Sequence, residues 1–267
     1  MLRTRVLTAA VLIPVAIGLI YLGGFPFLAL IGLMLSLAEV EFCRLTTQGS
    51  FHPTLAFGLG LVWLLLLDAQ IPDLGLFLPG LSLILLASLA WQMRHRQGSP
   101  VADWALTITG GLYLGVCGAS MVRLRGLYDG RWWLLTVLCT VICADSAAYF
   151  VGRAWGRHKM TPSLSPGKTW EGYISGLVVG GGMPVLLILL WRTAAGIETS
   201  IVHGLILGLL IGILSPLGDL AVSMIKRQVG AKDSGKAIPG HGGALDRLDS
   251  LLWAGVISYY YISWFVS

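Results

Sequence analysis

Between Ser223 and Asp249 the chain reads SMIKRQVGAKDSGKAIPGHGGALDRLD, a polar, glycine-rich stretch set between apolar runs. Asp246 and Asp249 lead directly into the hydrophobic segment that ends at Val266. A carboxylate at the mouth of a membrane helix is costly to keep there, so such groups usually bind something. With Lys226, Arg227, Lys232, Arg247 and several glycines beside them, the partner this pattern suits is a metal ion holding a phosphate. Glycine lets the backbone approach a ligand closely, and His241, set between glycines, could touch a phosphate or close a turn.

Two further pieces carry the same chemistry. In Pro216-Leu217-Gly218-Asp219 the proline is expected to distort its helix and free backbone groups near the carboxylate. Asp219, Ser223 and Lys226 follow at i, i+4 and i+7 and share a helical face; Asp246, Asp249 and Ser250 do so at i, i+3 and i+4. Two helices can therefore aim Asp219 and Asp246 at one point, where like charges need a cation between them. Asp145 lies in the inner half of an apolar run, on one face with Tyr149, Gly152 and Arg153, and its candidate partners are a metal or a lysine. The segment Ser165-Pro166-Gly167-Lys168-Thr169 precedes a predicted helix. It resembles the end of a P-loop, but the first glycine and the preceding strand are missing, so a Walker fold is rejected. Lys168 with the Ser165 and Thr169 hydroxyls at a helix start still suits a phosphate. Ser165 as N-cap with Pro166 opening the helix is the structural alternative, and both can hold together.

The elements that must position these groups are membrane helices. Of 267 residues, 56% are hydrophobic and 12% charged, where a soluble domain carries about 25% charged residues. Nine apolar runs can be drawn, near 6–22, 25–45, 53–67, 74–92, 102–122, 132–151, 170–191, 201–222 and 248–266, many long enough to cross ~30 Å of hydrocarbon. The expected fold is all-α, a polytopic integral membrane protein of about nine transmembrane helices. Residues 1–131 would form about five spans, and 132–267 a catalytic region with loops 152–169 and 223–247. No small-residue cleavage site follows the first run, so it is read as a retained helix. With the N-terminus inside, fourteen of the 18 Lys and Arg fall on that side against four outside. That split predicts an N-in, C-out chain with both polar loops in the cytoplasm.

Other polar groups have ordinary readings. Glu39 and Glu41 are expected to pair or snorkel beside Arg44. Asp68 and Asp73 are expected to be solvated, and Arg123, Arg125 and Arg131 to meet lipid headgroups. Cys43, Cys117, Cys139 and Cys143 read as small packing residues.

The polar segments together resemble a known family. Ser223-x-x-Lys226-Arg227, Lys232-Asp233-x-Gly235, Ile238-Pro239-Gly240-His241-Gly242-Gly243 and Asp246-Arg247-x-Asp249 resemble the motif of the phosphatidate cytidylyltransferases, or CDP-diacylglycerol synthases. The likeness extends to Ala144-Asp145-Ser146 and to Ser165 through Gly172. It implies an enzyme of the bacterial cytoplasmic membrane that makes CDP-diacylglycerol and pyrophosphate from CTP and bilayer phosphatidic acid. It implies Mg²⁺ on Asp219 and Asp246, with K⁺ as a candidate second metal, and a homodimer. In this reading Lys226, Asp145 and Asp249 are catalytic, orienting the lysine or completing the metal shell. Ser165, Lys168, Thr169, Ser223, Arg227, Lys232, His241 and Arg247 bind substrate. The basic groups serve substrate phosphates and lipid, and no nucleic-acid partner is expected. The rivals are a CTP-dependent polyprenol or lipid kinase and an ion-coupled transporter. The kinase would release CDP instead of pyrophosphate, and the transporter would have no use for so long a charged loop.

Overall fold

The computed structural model describes residues 2–95, 98–235, 237 and 242–266, and side chains at residue 10 and from 13 onward. Its helices are α1 (Leu2–Leu22), α2 (Gly24–Gln48), α3 (Leu55–Gln70), α4 (Phe77–Arg94), α5 (Pro100–Gly126), α6 (Gly130–Trp155), α7 (Trp170–Ala195), α8 (Ile201–Gln228) and α9 (Leu245–Phe265). Added to the expected all-α plan is an antiparallel hairpin between α6 and α7, with strands β1 (Lys159–Thr161) and β2 (Ser165–Thr169).

Six helices, α2 and α4 to α8, are long and apolar enough to cross a membrane among the described residues. The chain is an integral membrane protein. The shortest of the remaining helices, α3, has 16 residues and is about 24 Å long. It is held between its neighbours by small residues. A Cβ on Gly111 would come within 2.7 Å of the Gly58 carbonyl, so α3 and α5 touch backbone to backbone.

The chain divides into two compact units, Met1–Gly126 with Ile225–Leu248, and Leu127–Met224 with Asp249–Ser267. In the first, buried polar side chains tie down the connections. The Asp103 carboxylate accepts from His52 N at 2.6 Å, and Thr107 Oγ1 from Thr54 N at 2.8 Å, fixing the turn between α2 and α3. Asp68, expected in solvent, is buried. Its carboxylate accepts from Phe77 N at 3.0 Å and pairs with Arg123 at 3.0 Å. Arg125 donates to the carbonyls of Ile20 and Tyr21 at 2.6 and 2.9 Å. These arginines fasten helix ends where headgroup contact was expected.

In the second unit α6, α7 and α8 pack through glycines. Gly172 and Gly176 of α7 lie against the Ala148 and Ala144 carbonyls of α6, and Gly208 of α8 lies against Gly180 of α7. Pro216 does not break α8, which runs on past Val222 to Gln228. Asp219, Ser223 and Lys226 are therefore carried on one continuous helix.

Candidate active site

The hairpin decides where Lys168 goes. Trp170 N donates to the His158 carbonyl at 2.9 Å, and the His158 ring meets Glu171 at 2.6 Å, closing the base of the ribbon. The N-cap of α7 is Thr169, whose hydroxyl oxygen accepts from Gly172 N at 3.2 Å. Ser165 was the expected cap, but it pairs with Thr161 four residues earlier, in the strand. The chain from Ser165 to Thr169 is extended, as a residue preceding proline and a cap position both favour.

From β2 the Lys168 ammonium reaches α8. It lies 2.9 Å from Asp219 Oδ2 and donates to the Pro216 carbonyl at 3.1 Å. Ser223, one turn on, donates to Asp219 Oδ1 at 3.2 Å. Asp145 of α6 accepts a hydrogen bond from the Ser250 hydroxyl and lies within electrostatic reach of Asp219 and Lys168. Ser250 N donates to Asp249 Oδ1 at 2.6 Å. At Gly218 no side chain could be added, because a Cβ there would overlap the Asp249 carbonyl. That close approach brings the start of α9 against the residue preceding Asp219. Four segments distant in sequence thus place Asp145, Asp219 and Asp249 in one region with Lys168 as the cation.

The first unit holds a second cluster. Lys226 Nζ donates to Asp246 Oδ1 at 2.6 Å. Asp246 Oδ2 accepts from Ser234 N at 2.8 Å and from Ser234 Oγ at 2.9 Å. Burial works against ionisation of Asp246, but the Lys226 ammonium and the Ser234 donors outweigh it and hold the carboxyl below its ordinary value. Lys226, expected to be oriented by Asp145 or Asp249, is paired with Asp246. Glu41 completes the cluster, and sequence reasoning missed it. Its Oε2 accepts from Ser234 Oγ and Leu245 N, both at 2.9 Å, while Arg44, its expected partner, is exposed. Glu39 is also buried and accepts from the Cys43 thiol at 3.7 Å.

Arg227, Lys232 and Arg247 are exposed cations, and Arg227 donates to the Ala231 carbonyl at 3.2 Å. Thr169, the last residue of β2, is buried. His241 lies outside the described residues.

The comparisons with known proteins bear on these groups. The cytidylyltransferase family model matches residues 3–265. The chain belongs to that family. It is 36% identical to a phosphatidate cytidylyltransferase of Brucella suis, over 97% of this chain and 92% of the relative. It is 30% identical to one of Bacillus subtilis, over 99% and 98%, and 33% identical to one of Pseudomonas aeruginosa, over 94% and 93%. The Lys168 turn and both aspartate clusters lie inside the matched region. The family is one of nucleotidyltransferases, and this chain is an enzyme of that kind.

The donor chemistry of both clusters fits Mg²⁺. Each offers hard carboxylate and hydroxyl oxygens: Asp145, Asp219 and Ser223 in the second unit, Asp246, Glu41 and Ser234 in the first. No trio of His, Cys, Asp or Glu is assembled as a ready cage among the described residues. Magnesium commonly takes one or two carboxylates and completes its shell with water and substrate phosphates, so a complete protein cage is not required.

Proposed function

We propose that this chain transfers the cytidylyl group of CTP to phosphatidic acid, giving CDP-diacylglycerol and pyrophosphate for phospholipid synthesis. What carries the reading is the near full-length match to phosphatidate cytidylyltransferases. The Lys168–Asp219 pair supplies the chemistry, a cation just before the start of α7 held to a carboxylate of α8.

In the reaction a phosphate oxygen of phosphatidic acid attacks the α-phosphorus of CTP. The new P–O bond forms as the bond to the bridging oxygen of the β-phosphate breaks, and pyrophosphate leaves. The attacking phosphate has a second pKa near 6 and is largely ionised at neutral pH, so a strong general base is not needed. What the protein must do is bring two polyanions together in line and neutralise their charge. Lys168, fixed by Asp219 and the Pro216 carbonyl, is placed to bind phosphate oxygens. Lys226 holds Asp246 in place, and Arg227, Lys232 and Arg247 are exposed cations for incoming phosphates. Aspartate oxygens, those of Asp219 and Asp246 foremost, would hold Mg²⁺, with K⁺ as a second ion. When bound, the metal neutralises charge on the triphosphate and the leaving pyrophosphate.

The reading includes a chain that spans the bilayer nine times, N-terminus inside, its polar loops in the cytoplasm where CTP is. It is supported by the fourteen-to-four division of Lys and Arg. The homodimer rests on the family resemblance alone.

The test is pyrophosphate release by the detergent-purified protein given CTP, phosphatidic acid and Mg²⁺, with each omitted in turn. Release should require all three and yield a CDP-lipid. CDP formed with a lipid alcohol would replace the reading with a kinase.

A further inference from the structure

We propose that Glu41, on α2, is the positioning residue of the Asp246 carboxylate: it holds both ends of the glycine-rich segment that delivers Asp246. The inference deepens the functional reading above and rests on it for its kinetic part. One oxygen of Glu41 does the holding. Oε2 accepts from the Ser234 hydroxyl and from the Leu245 amide, each at 2.9 Å. Ser234 opens the segment and Leu245 is the first residue of α9, next to Asp246. The two anchor points are eleven residues apart in sequence and 193 and 204 residues from Glu41.

Ser234 is the link between the carboxylates. Its hydroxyl lies 2.9 Å from Glu41 Oε2 and 2.9 Å from Asp246 Oδ2, so a single proton faces two acceptors. Its backbone amide meets Asp246 Oδ2 at 2.8 Å. The segment is cut to fit. A Cβ on Gly235 would overlap the Glu41 carboxylate, and one on Gly243 would overlap the Ser234 hydroxyl and come within 2.5 Å of Glu41 Oε2. These two glycines are needed for the close approach of backbone to carboxylate, whatever their φ. Glu41 itself is 3% exposed, so it acts on the reaction through Asp246 and has no access of its own to a substrate in solution.

Asp246 directly follows one anchor, Leu245, and is hydrogen-bonded by the other, Ser234, so its aim depends on both. A reacting group displaced by ~1 Å can cost about a hundredfold in rate.

The experiment compares Glu41→Ala, Glu41→Gln and Ser234→Ala in the full-length detergent-purified protein, by steady-state kinetics and by amide hydrogen exchange over residues 231–248. Glu41→Ala should exchange faster at Ser234 and Leu245 and lose about a hundredfold in kcat, with a much smaller change in KM for CTP. Glu41→Gln keeps an acceptor oxygen where both hydrogen bonds are made and should recover most of the protection and most of kcat. Ser234→Ala leaves the buried carboxylate in place and should move both readouts in the same direction as Glu41→Ala. It also decides the matter should Glu41→Ala fail to fold. Glu41→Ala with native exchange and near-native kcat overturns the proposal. So does Glu41→Gln as impaired in kcat as Glu41→Ala with native exchange, because the carboxylate would then act by its charge. A wild-type protein with no turnover refutes the functional reading, and the exchange comparison still decides the anchoring.

Discussion

The two aspartate clusters are built in opposite ways. Around Asp246 the groups are buried, the Lys226 and Asp246 side chains being 11% and 13% exposed, and the donors on Asp246 are fixed. Around Asp219 the ion pair to Lys168 is looser, the side chains 22% and 36% exposed, and Asp145 beside it is exposed. The second pair is less enclosed than the first, so its partners can be exchanged for a ligand at lower cost. The first is held in low dielectric and resists rearrangement. The difference teaches that similar Asp–Lys pairs are held in two ways in one molecule: one carboxylate is fixed in its aim by close partners, the other sits in a more open pair.

The largest effects should come from the closed cluster, and they should include stability. Asp246→Asn leaves the Lys226 ammonium buried without its counter-charge, a loss of about 3 kcal/mol. Turnover should fall below detection, and thermal unfolding in detergent should show the destabilisation. The double variant Lys226→Met/Asp246→Leu removes both charges and should regain most of the lost stability while staying inactive. A single variant as stable as wild type would place Lys226 in a wetter setting than its 9% exposure indicates.

The open cluster should lose function without stability. Asp219→Asn should lower kcat by about a hundredfold or more at saturating Mg²⁺, with unfolding shifted by no more than an exposed pair is worth, about 1 kcal/mol or less. Wild-type turnover of that variant would remove Asp219 from the metal assignment. Lys168→Met should act chiefly on substrate affinity, raising KM for CTP by about tenfold, since a charge-assisted phosphate contact is worth 1.5 kcal/mol or more. If KM for phosphatidic acid rises instead, Lys168 serves the lipid headgroup.

What the sequence made legible follows the same division. The spans could be read because long apolar runs have few alternatives. The open cluster could be read because Asp145, Lys168 and Asp219 stand out as charges at the ends of those runs. The hairpin could not, since Ser165-Pro166-Gly167-Lys168-Thr169 has no alternation to mark a strand. The continuation of α8 past the apolar run at Val222 could be read from the helical spacing of Asp219, Ser223 and Lys226, and Lys226, Arg227 and Gln228 are good helix formers. Glu41 was assigned to Arg44, three residues away, because its real partners are about two hundred residues distant and a local rule cannot find them. A carboxylate in an apolar run with only an exposed arginine nearby was the one available signal. Asp68 was misread for the same reason, its partner Arg123 being 55 residues on.

The Asp68–Arg123 pair gives the smallest effect and the control that sharpens the contrast. Asp68 is buried at the end of α3, where it also accepts from Phe77 N at the start of α4, while Arg123 is 39% exposed. Arg123→Gln removes the ionic partner but leaves the amide donor on Asp68, so the carboxylate keeps a hydrogen bond. The loss should be about 1 kcal/mol, the upper range for a pair with one member in water. The bonds described for Asp68 and Arg123 run to neither Asp219 nor Asp246, so kcat and both KM values should remain at wild-type levels. Kinetics and unfolding measured on the same preparation check this. A fall in kcat with little change in unfolding would mean that the α3–α4 connection communicates with the reacting groups, and the contrast between a fixed and an open cluster would no longer account for activity.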